Sequence, residues 1–265
     1  MTPSLEIALR LTCTALVFAG LAAWELFAPR RKLSIGRLRR WPGNIGVLVV
    51  DALLVRLLIP AAAVGAALCA AGHGIGLFNW LQFRLSVGAI LGFLALDFTI
   101  WAQHWAFHHV PVLWRLHRMH HADLDIDVTT GVRFHPVEIL ISLLIKIAVI
   151  VALGIPPVGV FVFEVALNAT SMFNHSNVRM PFWLDRVLRL VVVTPDMHRV
   201  HHSIVRRETD SNFGFNLPWW DWLFRTYRRE PEAGHGGMTI GIPQFRDPKE
   251  QRLDKMLTQP FRDEK

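Results

Sequence analysis

Long apolar runs occupy the first two-thirds of the chain, and short polar words separate them. The first, Leu5 to Ala28, is broken only by Glu6, Arg10 and Glu25, and "PRRKLSIGRLRR" follows it at once. The second, Ile45 to Ala71, is interrupted by Arg56, and the third runs from Ser86 to Phe107. A fourth extends from about Pro136 to Leu153, and after the reversal at "GIPP" a fifth covers Val158 to Phe173. A bilayer core about 30 Å thick needs about 20 helical residues. The first three runs therefore predict spanning helices, whereas the last two are short enough to form a partly re-entrant hairpin, which leaves between three and five full spans. "LFNWLQFRL", before the third run, predicts an interfacial segment, and residues 176–265 contain no spanning run at all. The expected fold is all-α: an integral-membrane helical bundle of about four spanning or re-entrant helices beyond an N-terminal anchor, with a helical cap on one side.

Composition supports the membrane. Hydrophobic residues make up 52% of the 265-residue chain and mean hydropathy is +0.33. Charged residues are 18%, against about 25% in soluble domains. A net charge of +7 and a pI near 10.2 raise nucleic acid as a partner. The basic residues sit in blocks beside apolar runs, where the positive-inside rule puts them, and no basic stripe with a reading module accompanies them, so no nucleic-acid partner is expected. A cleavable signal ending near "LAA" is the alternative for the first run. Such signals carry charge before the apolar stretch, and here most of it comes after, as in a stop-transfer anchor. Cys13 and Cys69 lie inside apolar runs and read as small core residues. Orientation follows from the six Lys/Arg residues of the 29–40 segment against none in 72–76. The former is expected to be cytoplasmic, in a bacterial-type inner membrane. Alternating spans then bring His104, His108, His175 and the C-terminal portion to that same side.

The polar words carry the candidate chemistry. "HRMHH" at 117–121 and "HRVHH" at 198–202 repeat one pattern, and "HWAFH" sets His104 and His108 one helical turn apart. Residues three or four apart share a helix face, so His117, His120 and His121 crowd into one arc, as do His198, His201 and His202. Eight imidazoles exceed the about four to six positions of one transition metal, and two metals account for them, each five-residue copy acting as one three-pronged claw. The absence of Cys ligands disfavours finger-type zinc, and imidazole suits iron, copper or zinc. His175 arrives beside these clusters by topology as a candidate ninth ligand. His135 precedes Pro136 and reads as a helix cap or a support for a ligand, while His73, His109 and His235 read as caps or interfacial residues. Asp97, two turns before His104, is read as orienting a ligand, with a structural helix–helix hydrogen bond as the alternative. Asp196 is read first as a cap, and Asp210, Asn212 and Asp221 are weaker candidates.

H-x-x-x-H, H-x-x-H-H, a membrane hairpin and a second H-x-x-H-H together resemble the fatty acid hydroxylase and sterol desaturase superfamily of integral-membrane di-iron oxygenases. The surrounding words agree: "LWRLHRMHHADLDIDVTTGVRFHP", "FNHSNVRMP", "TPDMHRVHHS" and "TDSNFGFNLPWWDWLFRTY". The similarity covers about residues 85–228, which implies anchor helices and a basic loop over 1–84, a catalytic domain over 85–228 and a polar tail over 229–265. It implies that His104, His108, His117, His120, His121, His198, His201 and His202, with His175 in "HSN", hold two irons, zinc being a metal that can be misloaded there. Asp97, Asn212 and Asp221 match recurrent polar positions. The implied activity is hydroxylation or desaturation of a lipid C–H bond, with O2 as co-substrate. Electrons would come from an external donor, such as a reductase with ferredoxin or cytochrome. The lipid could be a sterol, fatty acyl, sphingoid, ether-lipid or carotenoid chain. Phe213 and Arg225 depart from the family's Tyr and Gly, at positions expected to lie away from the eight histidines. Trp101, Trp105, Trp114, Phe107 and Phe173 could line a lipid path, although an interfacial aromatic belt is the plainer expectation. Other readings of the cage are a membrane zinc hydrolase and a metal-binding or transport protein.

Overall fold

The computed structural model describes residues 3–263, and among them all regular structure is helical apart from two isolated bridges. The long helices are α1 (Pro3–Phe27), α2 (Arg37–Leu58), α3 (Ala62–Gly72), α4 (Leu77–Trp80), α5 (Leu85–His109), α6 (Pro111–His121), α7 (Pro136–Leu153) and α8 (Pro157–His175), with α4 a single turn. Shorter helices α9 (Phe182–Leu188), α10 (Pro195–His201), α11 (Arg206–Thr209) and α12 (Trp219–Leu223) follow. Local chemistry sets the ends. Proline occupies the first turn of α6, α7, α8 and α10, where its missing N–H costs nothing. His135 caps α7, its ring accepting from Val137 N at 3.2 Å, and Gly154 ends that helix at φ 68°, a conformation that favours glycine. Thr194, not Asp196, caps α10, accepting from Met197 N. Asp196 lies inside the helix and turns to Arg30 and Arg199.

Among the described residues, four stretches are long and apolar enough to cross a membrane: Ser4–Phe27, Arg37–Trp80, Leu85–His109 and Pro136–Leu153. The second expected span is not one helix. It breaks between Leu58 and Ala62 because Pro60 lacks an N–H and clashes with the preceding turn. The fifth run forms α8, but Glu164, Asn168 and Asn174 keep it out of that set. Helices α3, α5, α7 and α8 bury a shared core that includes Ala67, Leu96, Ile150 and Phe163. Outward faces stay apolar, with Leu11, Leu16, Leu57 and Leu85 exposed. Water would penalise so continuous an apolar surface, whereas lipid does not.

Polar loops cap one end of this bundle. The chain from Ala122 to His135 is held by Arg40 of α2. Its guanidinium donates to Asp123 at 2.6 and 2.7 Å, to Asp127 at 2.6 Å and to Thr130 at 3.1 Å, with every partner buried. Gly131 in that loop lies so close to Ser171 that an added Cβ would meet its carbonyl oxygen at 2.5 Å. The described part of the expected polar tail, residues 229–263, packs back onto the bundle. Met256 joins Val47 and Met119, and Gln251 donates to Ala122 O at 3.0 Å. Glu25, from the segment expected to serve only as anchor, accepts from Val128 N and Asn177 N at 2.7 Å each.

Candidate metal centre

Nine histidines, eight from α5, α6, α8 and α10 and the ninth, His202, immediately after α10, meet at the capped end of the bundle, all buried. They fall into two groups, each with one nitrogen per ring within 4.8 Å of the others. One group is His104, His108, His117, His121 and His201; the other is His120, His175, His198 and His202. The groups touch, for the His121 and His202 rings stack with centroids 4.6 Å apart. Neither five-residue copy is one claw. His117 and His121 turn to the first group and His120 to the second, while His198 and His202 turn to the second and His201 to the first. Helical geometry explains the split. At about 100° per residue, position i+4 returns close to i, whereas i+3 points well to the side.

The outer nitrogens decide which atoms face inward. His104 Nδ1 donates to Phe213 O at 2.7 Å, His201 Nδ1 to Ser211 O at 2.7 Å, His175 Nδ1 to Ser171 O at 2.7 Å and His120 Nδ1 to Arg133 O at 3.0 Å. His117 Nδ1 is paired with Glu138 Oε1 at 2.6 Å, and His108 Nδ1 with Asp210 Oδ1 at 3.3 Å. Carbonyls and carboxylates only accept, so these partners assign the ring protons to Nδ1 and leave each Nε2 with a bare lone pair. Bare lone pairs then confront one another: His104 and His117 at 3.1 Å, His120 and His175 at 3.0 Å. Among the described residues, His108 Nε2, His201 Nε2 and both ring nitrogens of His121 and His202 have no hydrogen-bond partner. A cation is what such a set of acceptors fits. Burial, followed by the crowding of neighbouring rings, pushes His120, His121, His198 and His202 well below the usual imidazole range; burial and His117 do the same for His201. Those five rings therefore favour the neutral form, the form in which an imidazole can ligate a metal.

The loop from Asp210 to Asn216 supplies two of those carbonyls, and the three polar positions expected near the site act through it. Asp221 accepts from Phe213 N and Gly214 N at 2.9 Å each, from Trp101 Nε1 at 3.0 Å and from Thr226 at 2.6 Å. Asp97 does not touch His104. It accepts from Asn216 Nδ2 at 2.9 Å and Trp220 Nε1 at 2.8 Å, tying the loop to α5. Asn212 sits at φ 53° and clamps Met197 O and Arg228 O with its amide. Phe213 is not remote: its ring lies 5.2 Å from that of His108 and 5.6 Å from those of His104 and His201. Arg225 holds φ 59°, which accounts for a glycine being usual there. Of the aromatics considered for a lipid path, Phe107 alone lines the cavity described below. Trp101 is occupied by Asp221, Trp114 packs on His108 and His121, and Phe173 packs with Val128 and Met172.

Glu138 and Arg133 hold two of these rings, His117 and His120, but went unread in the sequence. Asp123 is the hinge of the second support. Burial alone would raise its carboxyl, but Arg40 and Arg133 outweigh that and hold it well below the usual carboxylate range. Arg133 in turn donates to Met119 O at 2.9 Å, Asn44 at 3.0 Å and Gln251 at 2.6 Å.

A cavity of about 670 Å³ opens between α2, α3, α5, α7 and α8 and reaches His104 and His117 from the membrane side. The sequence model of the fatty acid hydroxylase family matches residues 89–226, more than half the chain and every one of the nine histidines. The chain belongs to this family. Over 162 residues it is 32% identical to the ornithine lipid hydroxylase OlsE of Rhizobium tropici, a match covering 61% of this chain and 47% of that protein. It is also 32% identical over 162 residues to the alkylglycerol monooxygenase of Homo sapiens, covering 60% of this chain and 35% of the relative. A 26% match over 177 residues links it to the very-long-chain aldehyde decarbonylase GL1-4 of Oryza sativa subsp. japonica, over 63% of this chain and 28% of that protein. The match thus spans about half or less of the length of these relatives. No solved structure was found to match the chain.

Proposed function

We propose that the protein is a membrane-bound di-iron oxygenase that inserts oxygen into, or desaturates, a C–H bond of a lipid. The observation that carries the reading is the cavity leading from between the apolar helices to His104 and His117. A lipid tail can lie there without leaving the bilayer. The nine histidines would hold the two irons, in the groups of five and four described above. Bound iron would supply the redox chemistry of O2 activation, which zinc cannot. For hydroxylation the balance is one lipid, one O2, two electrons and two protons giving the hydroxylated lipid and water. The electrons come from an external donor, such as a reductase with ferredoxin or cytochrome.

The chain's own residues would do the rest. Glu138 and the carbonyls of Arg133, Ser171, Ser211 and Phe213 fix the orientations of five rings by holding Nδ1 protons. Asp221, Asp97 and Asn212 keep the 210–216 loop from drifting. The buried cap excludes water from the reacting carbon. Residues 85–228 would form the catalytic portion, and the basic 29–40 segment supports a cytoplasmic placement of the cap in an inner membrane. Relatives named as lipid hydroxylase and monooxygenase support the same reaction class.

The test is metal content of the chain purified in mild detergent, followed by lipid turnover under O2 with a chemical or enzymatic reductant. Iron near two per chain with O2-dependent product is expected. Zinc that persists after iron reconstitution, with hydrolysis and no O2 consumption, would replace this reading with the hydrolase one.

A further inference from the structure

The walls of the cavity differ along its length. In the span-embedded part, Arg10 lies 2.8 Å from Glu164 and Lys146 lies 3.4 Å from the same carboxylate, so these charges answer one another. At the end next to His117 the balance is absent. Asp51 of α2 and Glu138 of α7 both line the cavity and are each only 6% exposed. Glu138 Oε1 is taken by His117, but among the described residues Glu138 Oε2 and Asp51 Oδ1 have no hydrogen-bond partner. Buried acceptors without donors are costly, and a fold keeps them where a bound molecule brings the donor.

We infer that Asp51 and Glu138 receive a hydrogen-bond donor, hydroxyl or ammonium, in the polar head of the lipid. This rests on the oxygenase reading and narrows it to a substrate class. A head group seated on Asp51 and Glu138 puts the carbons next to it beside His104 and His117, while the tail runs on between α3, α5 and α8. The oxidised carbon is then close to the head and not in mid-chain. A volume of about 670 Å³ is within the about 300–1,000 Å³ of small-molecule sites. A site with two buried acceptors also rejects molecules that lack the donor, since those leave the acceptors unpaired.

The experiment is equilibrium binding to the full chain in detergent, with tritiated 1-O-hexadecylglycerol as probe. Unlabelled hexadecylglycerol, its di-O-methyl ether, hexadecylamine and hexadecane serve as competitors. The parent protein should favour at least one donor-bearing lipid over its capped or headless counterpart by about tenfold or more. Preference for the amine alone assigns an ammonium, and preference for the diol alone assigns hydroxyls. Asp51→Leu should erase the discrimination, and Asp51→Asn should erase it for the amine while keeping most of it for the diol. Both variants should keep the parent's metal content, which checks their folding. Equal competition by capped and uncapped lipids in the parent would overturn the inference, as would discrimination that survives Asp51→Leu. Binding needs no turnover, so the two readings fail separately. Head-group discrimination in a protein unable to bind iron would remove the oxygenase reading alone. A product oxidised in mid-chain would remove the head-proximal placement alone.

Discussion

The first histidine triplet ends an 11-residue helix and has a carboxylate beside one of its rings, whereas the second closes a 7-residue helix and has a main-chain carbonyl beside one of its own. His117 leans on the Glu138 carboxylate, and His120 on the carbonyl of Arg133, whose guanidinium belongs to the buried Arg40, Asp123 and Asn44 network. His201 leans on Ser211 O, in a loop pinned by Asp221. Even the arginines inside the copies differ. Arg118 reaches out to the carbonyls of Gln259 and Arg262, and Arg199 turns in to Asp196 and Ser176 O. The first copy thus has one ring, His117, oriented by a carboxylate beside one oriented by main chain, whereas the second has only a main-chain partner, at His201, and the two should fail in different ways.

The largest effect should come from removing a ligand from either group. His120→Ala and His201→Ala should each lower turnover by more than about 100-fold, beyond the range for residues that merely support ligands. Because the copies interleave, each variant should lose a different metal, leaving iron near one per chain, with distinct spectroscopic remnants. Identical remnants would break the interleaved arrangement. Arg40→Met comes next. It leaves Asp123 and Asp127 buried without their cation, at about 3–5 kcal/mol of unfolding free energy measured in detergent. Glu138→Gln should weaken metal binding about 10–100-fold through His117 while leaving the His120 group nearly untouched. At the other copy, Asp221→Asn should destabilise by about 1–3 kcal/mol, since an amide cannot accept at both oxygens. A larger loss of metal from Asp221→Asn than from Glu138→Gln would reverse the contrast between charge and main chain. Smallest is Arg225→Gly, which should relieve a left-handed backbone worth about 1 kcal/mol, read as a small rise in unfolding temperature.

Spacing made the nine histidines and the apolar runs legible, because both are local properties of a helix. It did not disclose the interleaving. The helical step already parts the i+3 ring from i and i+4, but which group each ring joins depends on elements far along the chain. Glu138 is 21 residues from His117, and Arg40 is 83 from Asp123. Asp97 shows the same limit. Its helical phase with His104 suggested a direct contact, yet a loop more than a hundred residues later supplies its donors. Pro60 is the local signal that breaks the second span, inside a run otherwise long and apolar enough to read as one helix. Residues 229–265 read as a tail because they are polar, although Gln251 and Gln259 are fully buried as hydrogen-bond partners.

That returning segment also sets an order of events. A ribosome releases all nine histidines before Gln251, Met256 and Gln259 exist, so the first triplet is born without its outer wall. If the site takes iron as proposed, the metal would have its easiest entry through that side during synthesis, before the arrival of residues 248–262 closes it. A chain stopped after Phe245 should accordingly take up iron as fast as the full one and surrender it sooner to a chelator. Equal rates of loss would mean that the last segment guards nothing.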